Sequence, residues 1–169
     1  MAEWSTRQAT EADVEAVAEV RAVALRGDLE RLGRYDEHRV RQRLRDGWMP
    51  GNTLVVEEDG VVVGCVALRP AGTGEDADWL EHFYLDPRVQ GRGIGTALLG
   101  GLLEAADRDG RRVRLNVLQG SAARRLYERH GFELEKEDAV DVFLVREPRP
   151  RYGWFEGESG LRVGGLRSS

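Results

Sequence analysis

Marked only as apolar or polar, the chain divides into short runs of period two and longer runs of helical period, and these predict its elements in order. Residues 4–8 alternate weakly and predict a first strand. Thr10-Glu-Ala-Asp13 resembles a capping box, and Val14, Val17, Ala18, Val20, Ala24 and Leu25 form a helical stripe expected to end near Gly27. From Asp28 to Arg45, Leu29, Leu32, Tyr35, Val40 and Leu44 are spaced for one or two amphipathic helices. Residues 53–58 and 61–69 flank Asp59-Gly60 and predict a two-residue hairpin. A Gly- and acid-rich loop, Pro70 to Asp78, leads to an aromatic strand over 79–85, which Asp86-Pro87 closes. From Thr96, the run Ala97, Leu98, Leu99, Leu102, Leu103, Ala105, Ala106 is a helix stopped by Asp109-Gly110. Residues 113–118 predict a strand, Ser121 caps a further helix that Gly131-Phe132 stops, and 132–137 with 140–146 form a closing hairpin. Strands alternating with helices and ending antiparallel imply an α/β (α+β) fold, a mixed sheet with helices on both faces.

Between the aromatic strand and the Leu-rich helix lies Gln90-Gly-Arg-Gly-Ile-Gly-Thr96. Glycines lose more backbone entropy on folding than other residues, so three of them at a helix start need a reason. Without β-carbons, successive N–H groups converge on an anion at the positive end of the helix dipole, which predicts a pyrophosphate site. A closely packed turn is the alternative. A P-loop is excluded because no Lys follows the glycines, and a dinucleotide fingerprint counted from Gly91 meets Thr96 where its last Gly belongs.

Composition narrows the class. With 169 residues, 41% hydrophobic and 33% charged, the chain suits one well-buried globular domain. No apolar run reaches membrane-spanning length and no signal peptide is evident, so a cytoplasmic protein without a membrane partner is expected. One cysteine, Cys65, excludes an intramolecular disulfide framework and a cysteine-rich metal site. It sits in an apolar strand that reads as buried on both faces, not as a reactive thiol. A net charge of −5 argues against nucleic acid and for a cationic substrate. Lys136 is the only lysine, an arginine bias that reflects a GC-rich, bacterial type of genome. After Pro148 the composition turns to Pro, Gly, Arg and Ser, so residues 148–169 read as a tail outside a 1–147 domain. Trp154 and Phe155 offer that tail an anchor on the body or on a second subunit of a homodimer.

Gln90-x-x-Gly93-x-Gly95, following a strand that ends in an apolar-x-Pro step, resembles the Q/R-x-x-G-x-G/A signature of the GNAT superfamily of acyl-CoA-dependent N-acetyltransferases. Ser121-Ala-Ala-Arg-Arg-Leu-Tyr127-Glu-Arg-His-Gly131-Phe132 is similar to a second segment of that family, N-x-x-A-x-x-L-Y-E-x-x-G-F, in the right order and at the right separation. The resemblance implies a mostly antiparallel sheet of about six to seven strands whose central strands splay to hold acyl-CoA. It implies acetyl-CoA as co-substrate, an amine as acceptor, direct transfer, and no metal. Pantetheine would pair with backbone groups of Phe83, Tyr84 and Leu85, with an N–H near Leu85 polarising the thioester oxygen. Gln90, Gly91, Arg92, Gly93, Ile94, Gly95 and Thr96 would hold the pyrophosphate. Tyr127 matches the tyrosine that protonates the departing sulfur; an ordinary phenol, with a pKa near ~10, carries that proton at neutral pH. The family's Asn at the start of that helix is absent, with Gly120 and Ser121 in its place; Ser121, or Asn116 on the preceding strand, would take the contact. For the base, Glu81 is the first choice and His82 the alternative. Strand alternation sends these two to opposite faces unless a bulge intervenes.

Tyr35, Asp36, Glu37, His38 and Asp141 lie where the acceptor would enter, although a charged run is more often a solvated helix face. Family members serve polyamines, amino acids, aminoglycosides, peptide N-termini and protein lysines, so the motif names no acceptor. Two other classes compete: an acyl-CoA-binding regulatory module with little transferase activity, and a nucleotide-binding oxidoreductase half-domain, which the glycine spacing disfavours.

Overall fold

Among the described residues a single sheet of seven strands organises the protein, in the order β1-β2-β3-β4-β5-β7-β6. The computed structural model describes residues 3–150, so Trp154 and Phe155 lie outside the described residues. The strands are β1 (Trp4–Gln8), β2 (Thr53–Glu58), β3 (Val61–Arg69), β4 (Asp78–Leu85), β5 (Val113–Leu118), β6 (Glu133–Glu137) and β7 (Asp141–Arg146). All neighbours are antiparallel except β4 and β5, which run parallel. Four α-helices cover it among the described residues: α1 (Val14–Arg31), α2 (Glu37–Asp46), α3 (Ile94–Arg108) and α4 (Ala123–Arg129).

Alternation along the strands sends side chains to two cores. Val55 and Cys65 meet Val17 and Ala18 of α1 and Leu44 of α2 on one face. On the other, Val56 and Val63 meet Ile94 and Leu98, while Leu80, Val113, Leu115 and Val142 meet Leu99 and Leu103 of α3 and Tyr127 of α4. Both faces of the central strands are therefore buried. Cys65 is fully buried, and burial pushes its thiol up to about 12, so it is inert at neutral pH as expected.

Several element ends differ from the sequence expectation. Thr10 and Asp13 form the expected capping box, but it opens a 3₁₀ turn over Glu11–Asp13 before α1 starts. α1 then continues through Gly27 to Arg31, because an interior Gly costs a helix only ~1 kcal/mol and the packed stripe holds it. α3 begins at Ile94 and not at Thr96; α4 begins at Ala123, two residues past Ser121. Ser121 still serves that end, its hydroxyl accepting the N–H of Ala123 at 3.2 Å.

One feature of the sheet opens a cleft in it. β4 and β5 pair only over Asp78, Trp79 and Leu80 against Val113, Arg114 and Leu115. Beyond Leu80 they part, and Glu81–Leu85 and Asn116–Leu118 form the two sides of a wedge. A bulge accompanies the parting: β3 and β4 pair as Cys65 with Tyr84 but Ala67 with Glu81, so two residues of β4 face one of β3. His82, inside the bulge, takes a φ of 47°, a left-handed conformation costly for a side-chain-bearing residue. Its carbonyl accepts the Cys65 thiol at 2.8 Å.

Candidate active site

Two cavities meet in the wedge. The first, about 430 Å³, is lined by Phe83, Tyr84 and Leu85 of β4, Gln90, Gly91 and Gly93 to Thr96, and Ser121, Leu126, Tyr127 and Arg129 around α4. The second, about 530 Å³, contains Trp79, Glu81, His82, Asn116, Asp141 and Phe143, together with Arg21, Asp28, Arg43 and Gly47. Phe83, Tyr84, Ser121 and Tyr127 line both, so the two are halves of one cleft.

The first half presents backbone donors at one end. Gly91 and Gly93 take φ values of 76° and 81°, where L side chains are strained, and a β-carbon at either would meet nothing within 4 Å. The turn is therefore open on the side facing out, and glycine there is a matter of backbone conformation. The first intrahelical bond of α3 runs from Ala97 N–H to Gly93 C=O at 3.0 Å, so the N–H groups of Ile94, Gly95 and Thr96 have no acceptor within the helix. No acidic residue lies in that first turn. Donors with a positive dipole end and no competing carboxylate suit a pyrophosphate.

Leu85 supplies the next donor. It stands opposite Gly64, while the neighbouring Asp86 N–H bonds Val63 C=O at 2.8 Å. In an antiparallel pair the next residue turns its N–H and C=O the other way, here into the wedge. The Leu85 carbonyl accepts Gln90 Nε2 at 3.0 Å, which ties the glycine turn to the strand and leaves the Leu85 N–H facing the cleft. Arg92 reaches Glu58 on β2 at 2.6 Å, and its side chain does not line the cavity. Asn116 lines the second half and not the first, since Val113, Leu115 and Val117 take the inward positions of β5.

Tyr127 is only 6% exposed. Its ring packs on Phe83 and Phe132, with centroids 6.2 and 5.8 Å away. Burial, and secondarily the Tyr84 phenol, raises its pKa well above the ordinary phenol value, so the hydroxyl keeps its proton across the neutral range.

The two candidate bases differ in their surroundings. Glu81 lines the second half, but its carboxylate accepts Arg69 Nε at 3.1 Å. His82 stands beside Gly47, where a β-carbon would lie 3.2 Å from Nε2. Nδ1 lies 3.4 Å from the Tyr84 hydroxyl, which in turn accepts Arg21 Nε at 3.1 Å. Arg21 also donates to the Val40 carbonyl, so the row Val40–Arg21–Tyr84–His82 is anchored to α2. Burial lowers the His82 pKa; the Glu81 carboxylate opposes this and the Arg21 charge adds to it. At neutral pH the imidazole is uncharged, with one nitrogen protonated and the other carrying a lone pair.

Sequence reasoning missed Arg21, Arg43 and the side-chain role of Tyr84. Nothing in the local pattern announces them, because each reaches the cleft from α1, α2 or β4 only once the sheet is assembled. Of the acidic entrance group, Asp141 lines the second half. Tyr35, Asp36, Glu37 and His38 do not: Asp36 caps α2 by accepting Arg39 N–H at 2.7 Å, and Tyr35 lies under the Arg26 guanidinium, 5.1 Å from its centroid. Among the described residues no group of three His, Cys, Asp or Glu side chains could hold a metal ion, and no helix is long and apolar enough to cross a membrane.

Known proteins resemble this chain in sequence and in fold. An uncharacterised N-acetyltransferase of Methanocaldococcus jannaschii is 30% identical over 148 residues, 79% of this chain. Mycothiol acetyltransferase of Brachybacterium faecium is 33% identical over 137 residues, 78% of this chain. The matches span 62% and 40% of those relatives' own lengths. Among solved structures, the PaiA N-acetyltransferase of Thermoplasma acidophilum in complex with coenzyme A superposes with a TM-score of 0.69 at 20% identity, over 86% of this chain and 99% of that one. The ribosomal-protein-S18-alanine N-acetyltransferase of Escherichia coli superposes with a TM-score of 0.66 at 17% identity, over 86% and 94%. At such identities the likeness speaks for the fold. The model of the acetyltransferase (GNAT) family matches residues 19–132, from α1 through the glycine turn to the end of α4. The chain therefore belongs to the GNAT acetyltransferase family.

Proposed function

We propose that the protein is an N-acetyltransferase that moves an acetyl group from acetyl-CoA directly to a primary amine, and that residues 1–147 carry this activity. The observation that carries the reading is the convergence, in one cleft, of the open Gly91–Thr96 donor turn, the Leu85 N–H and the protonated Tyr127 hydroxyl. The glycine turn fits a pyrophosphate because the N–H groups of Ile94, Gly95 and Thr96 have no acceptor within the helix, a β-carbon at Gly91 or Gly93 would meet nothing within 4 Å, and no acidic residue lies in the first turn of α3.

Acetyl-CoA supplies an activated acyl carbon and a thiolate leaving group. The chain's own residues provide the rest. N–H groups of Ile94, Gly95 and Thr96 bind the diphosphate and hold the arm in the wedge, beside Phe83 and Ser121. The Leu85 N–H donates to the carbonyl oxygen as negative charge grows there. His82 accepts the proton that the amine loses as the C–N bond forms; with Nδ1–H directed to the Tyr84 oxygen, Nε2 keeps its lone pair. Glu81 is the weaker choice because Arg69 already holds its carboxylate. The Tyr127 hydroxyl gives its proton to the departing sulfur.

The test is thiol release from acetyl-CoA by the purified full chain in the presence of a panel of primary amines, with product mass determined. Amine-dependent release with an N-acetylated product is expected. Saturable acetyl-CoA binding with no amine-dependent release would leave an acyl-CoA-binding module instead.

A further inference from the structure

A groove of about 420 Å³ continues from the acceptor half of the cleft, sharing Arg21, Arg43 and Asp141 with it and adding Arg34, Asp36 and Arg39. Its charge is at odds with the rest of the molecule. The protein carries a net charge of −5, yet four guanidinium groups line this groove against the carboxylates of Asp36 and Asp141. Asp36 is already engaged as the cap of α2.

Helix α2 shows the contrast within ten residues. Arg41 and Arg45 pair with Glu19 and Glu15 of α1 at 2.6 and 2.8 Å. Arg39 and Arg43, also four residues apart and so on a common face, have no carboxylate within ion-pair distance among the described residues, and neither does Arg34. Arg21, which also lines the groove, is held by Tyr84 and the Val40 carbonyl. Four guanidinium groups outnumber the two carboxylates of this groove and repel one another, and an anion arriving between them relieves that repulsion while accepting forked, charge-assisted hydrogen bonds.

We propose that the acceptor is a primary amine that also carries an anion, a carboxylate or a phosphate, which docks on Arg39 and Arg43 while the amino group reaches His82. This rests on the transferase reading. It replaces the cationic acceptor expected from net charge: a polyamine entering here meets like charge. Arg43, which lines both cavities, joins the anion site to the reacting end; Arg39 selects for charge further out.

The test has a catalytic and a binding arm, so that the two readings fail separately. Thiol release is measured with β-alanine against its amide, phosphoethanolamine against ethanolamine, and spermidine; the first two pairs distinguish carboxylate from phosphate. The same amines are titrated calorimetrically into wild type and an Arg39→Gln/Arg43→Gln variant, with circular dichroism as the check on folding. Wild type is expected to prefer an anionic amine over its neutral partner, and the double variant to lower that ratio of kcat/KM, and of affinity, by ~10- to 100-fold. Arg43→Lys should recover part of the loss, because the charge remains and the fork does not. Anionic amines that bind the wild type and not the double variant, with no thiol release, would uphold the site and overturn the transferase. Release that favours spermidine or neutral amines, or a ratio unchanged in the double variant, would overturn the anion site and uphold the transferase. Absence of binding by every anionic amine would also overturn the site.

Discussion

Gly93 offers the sharpest test of the pyrophosphate site, because its two roles can be separated. It caps α3 with φ 81° and ψ 3°, and a β-carbon there would meet nothing within 4 Å. A side chain at this position therefore introduces left-handed strain of ~1–2 kcal/mol and no clash. That strain acts on folding: both Gly93→Gln and Gly93→Glu should lower the melting temperature by a similar few degrees, since ~1 kcal/mol corresponds to ~2–4 °C at this chain length. Binding should tell them apart. At roughly 5 Å from a phosphate and an effective dielectric constant of about 20, the Glu carboxylate meets each unit of phosphate charge with a repulsion of ~3 kcal/mol, or about 200-fold in Kd. The assay is calorimetric titration with acetyl-CoA of wild type and both variants at low salt, repeated at high salt, where screening should narrow the gap between Glu and Gln. Equal melting temperatures with a much weaker Glu variant are the expected outcome. Glu and Gln variants that bind acetyl-CoA within about twofold of each other would refute the argument, because a carboxylate at an anion site cannot be silent.

Three further outcomes follow from the same geometry. Tyr127→Phe keeps the ring that packs on Phe83 and Phe132 and removes the proton donor, so kcat should fall by ~10²-fold or more with little change in thermal stability; an unchanged kcat in the thiol-release assay would exclude the hydroxyl from the chemistry. Because burial lowers the His82 pKa, its neutral form persists below the ordinary imidazole value of ~6.5, and kcat at saturating substrate should decline only at lower pH; His82→Gln should be slower and lack this acid limb, and a limb that survives the substitution belongs to another group. Arg146 is 4% exposed and held by Asp107 at 2.7 and 3.0 Å, so Asp107→Ala should cost ~3–5 kcal/mol and lower the melting temperature by roughly 10 °C. Arg146 keeps the Asp107 carboxyl below the ordinary carboxylate value; the pair's contribution is therefore complete above that value and is lost in acid as Asp107 protonates, which a pH series of melts checks.

What could be read from the chain was whatever depends on neighbours in sequence. The hairpin strands over 53–58 and 61–69 follow from alternation and the Asp59-Gly60 turn, and they occur with those bounds as β2 and β3. Gly91 and Gly93 could be placed at a helix start because backbone conformation is a local matter, and the tyrosine helix because its bounding signals, Ser121 and Gly131-Phe132, are. Local signals failed where packing outweighed them, as at Gly27, which α1 passes through to Arg31.

Tertiary structure alone decided the chemistry around those elements. Alternation placed Glu81 and His82 on opposite faces, but the bulge in β4, stabilised by the Cys65 thiol on the other strand, lets both line one cavity, and Arg69 from β3 then engages Glu81. The sign of charge along the groove that Arg43 shares with the His82 cavity was likewise out of reach of a net charge, which sums over the whole surface. Arg21, Arg34, Arg39 and Arg43 belong to three different stretches of chain, and they share a groove only after α1 and α2 dock on the sheet. A sequence records which groups exist and how the backbone between near neighbours turns; which distant charges come within reach of one another is set by packing.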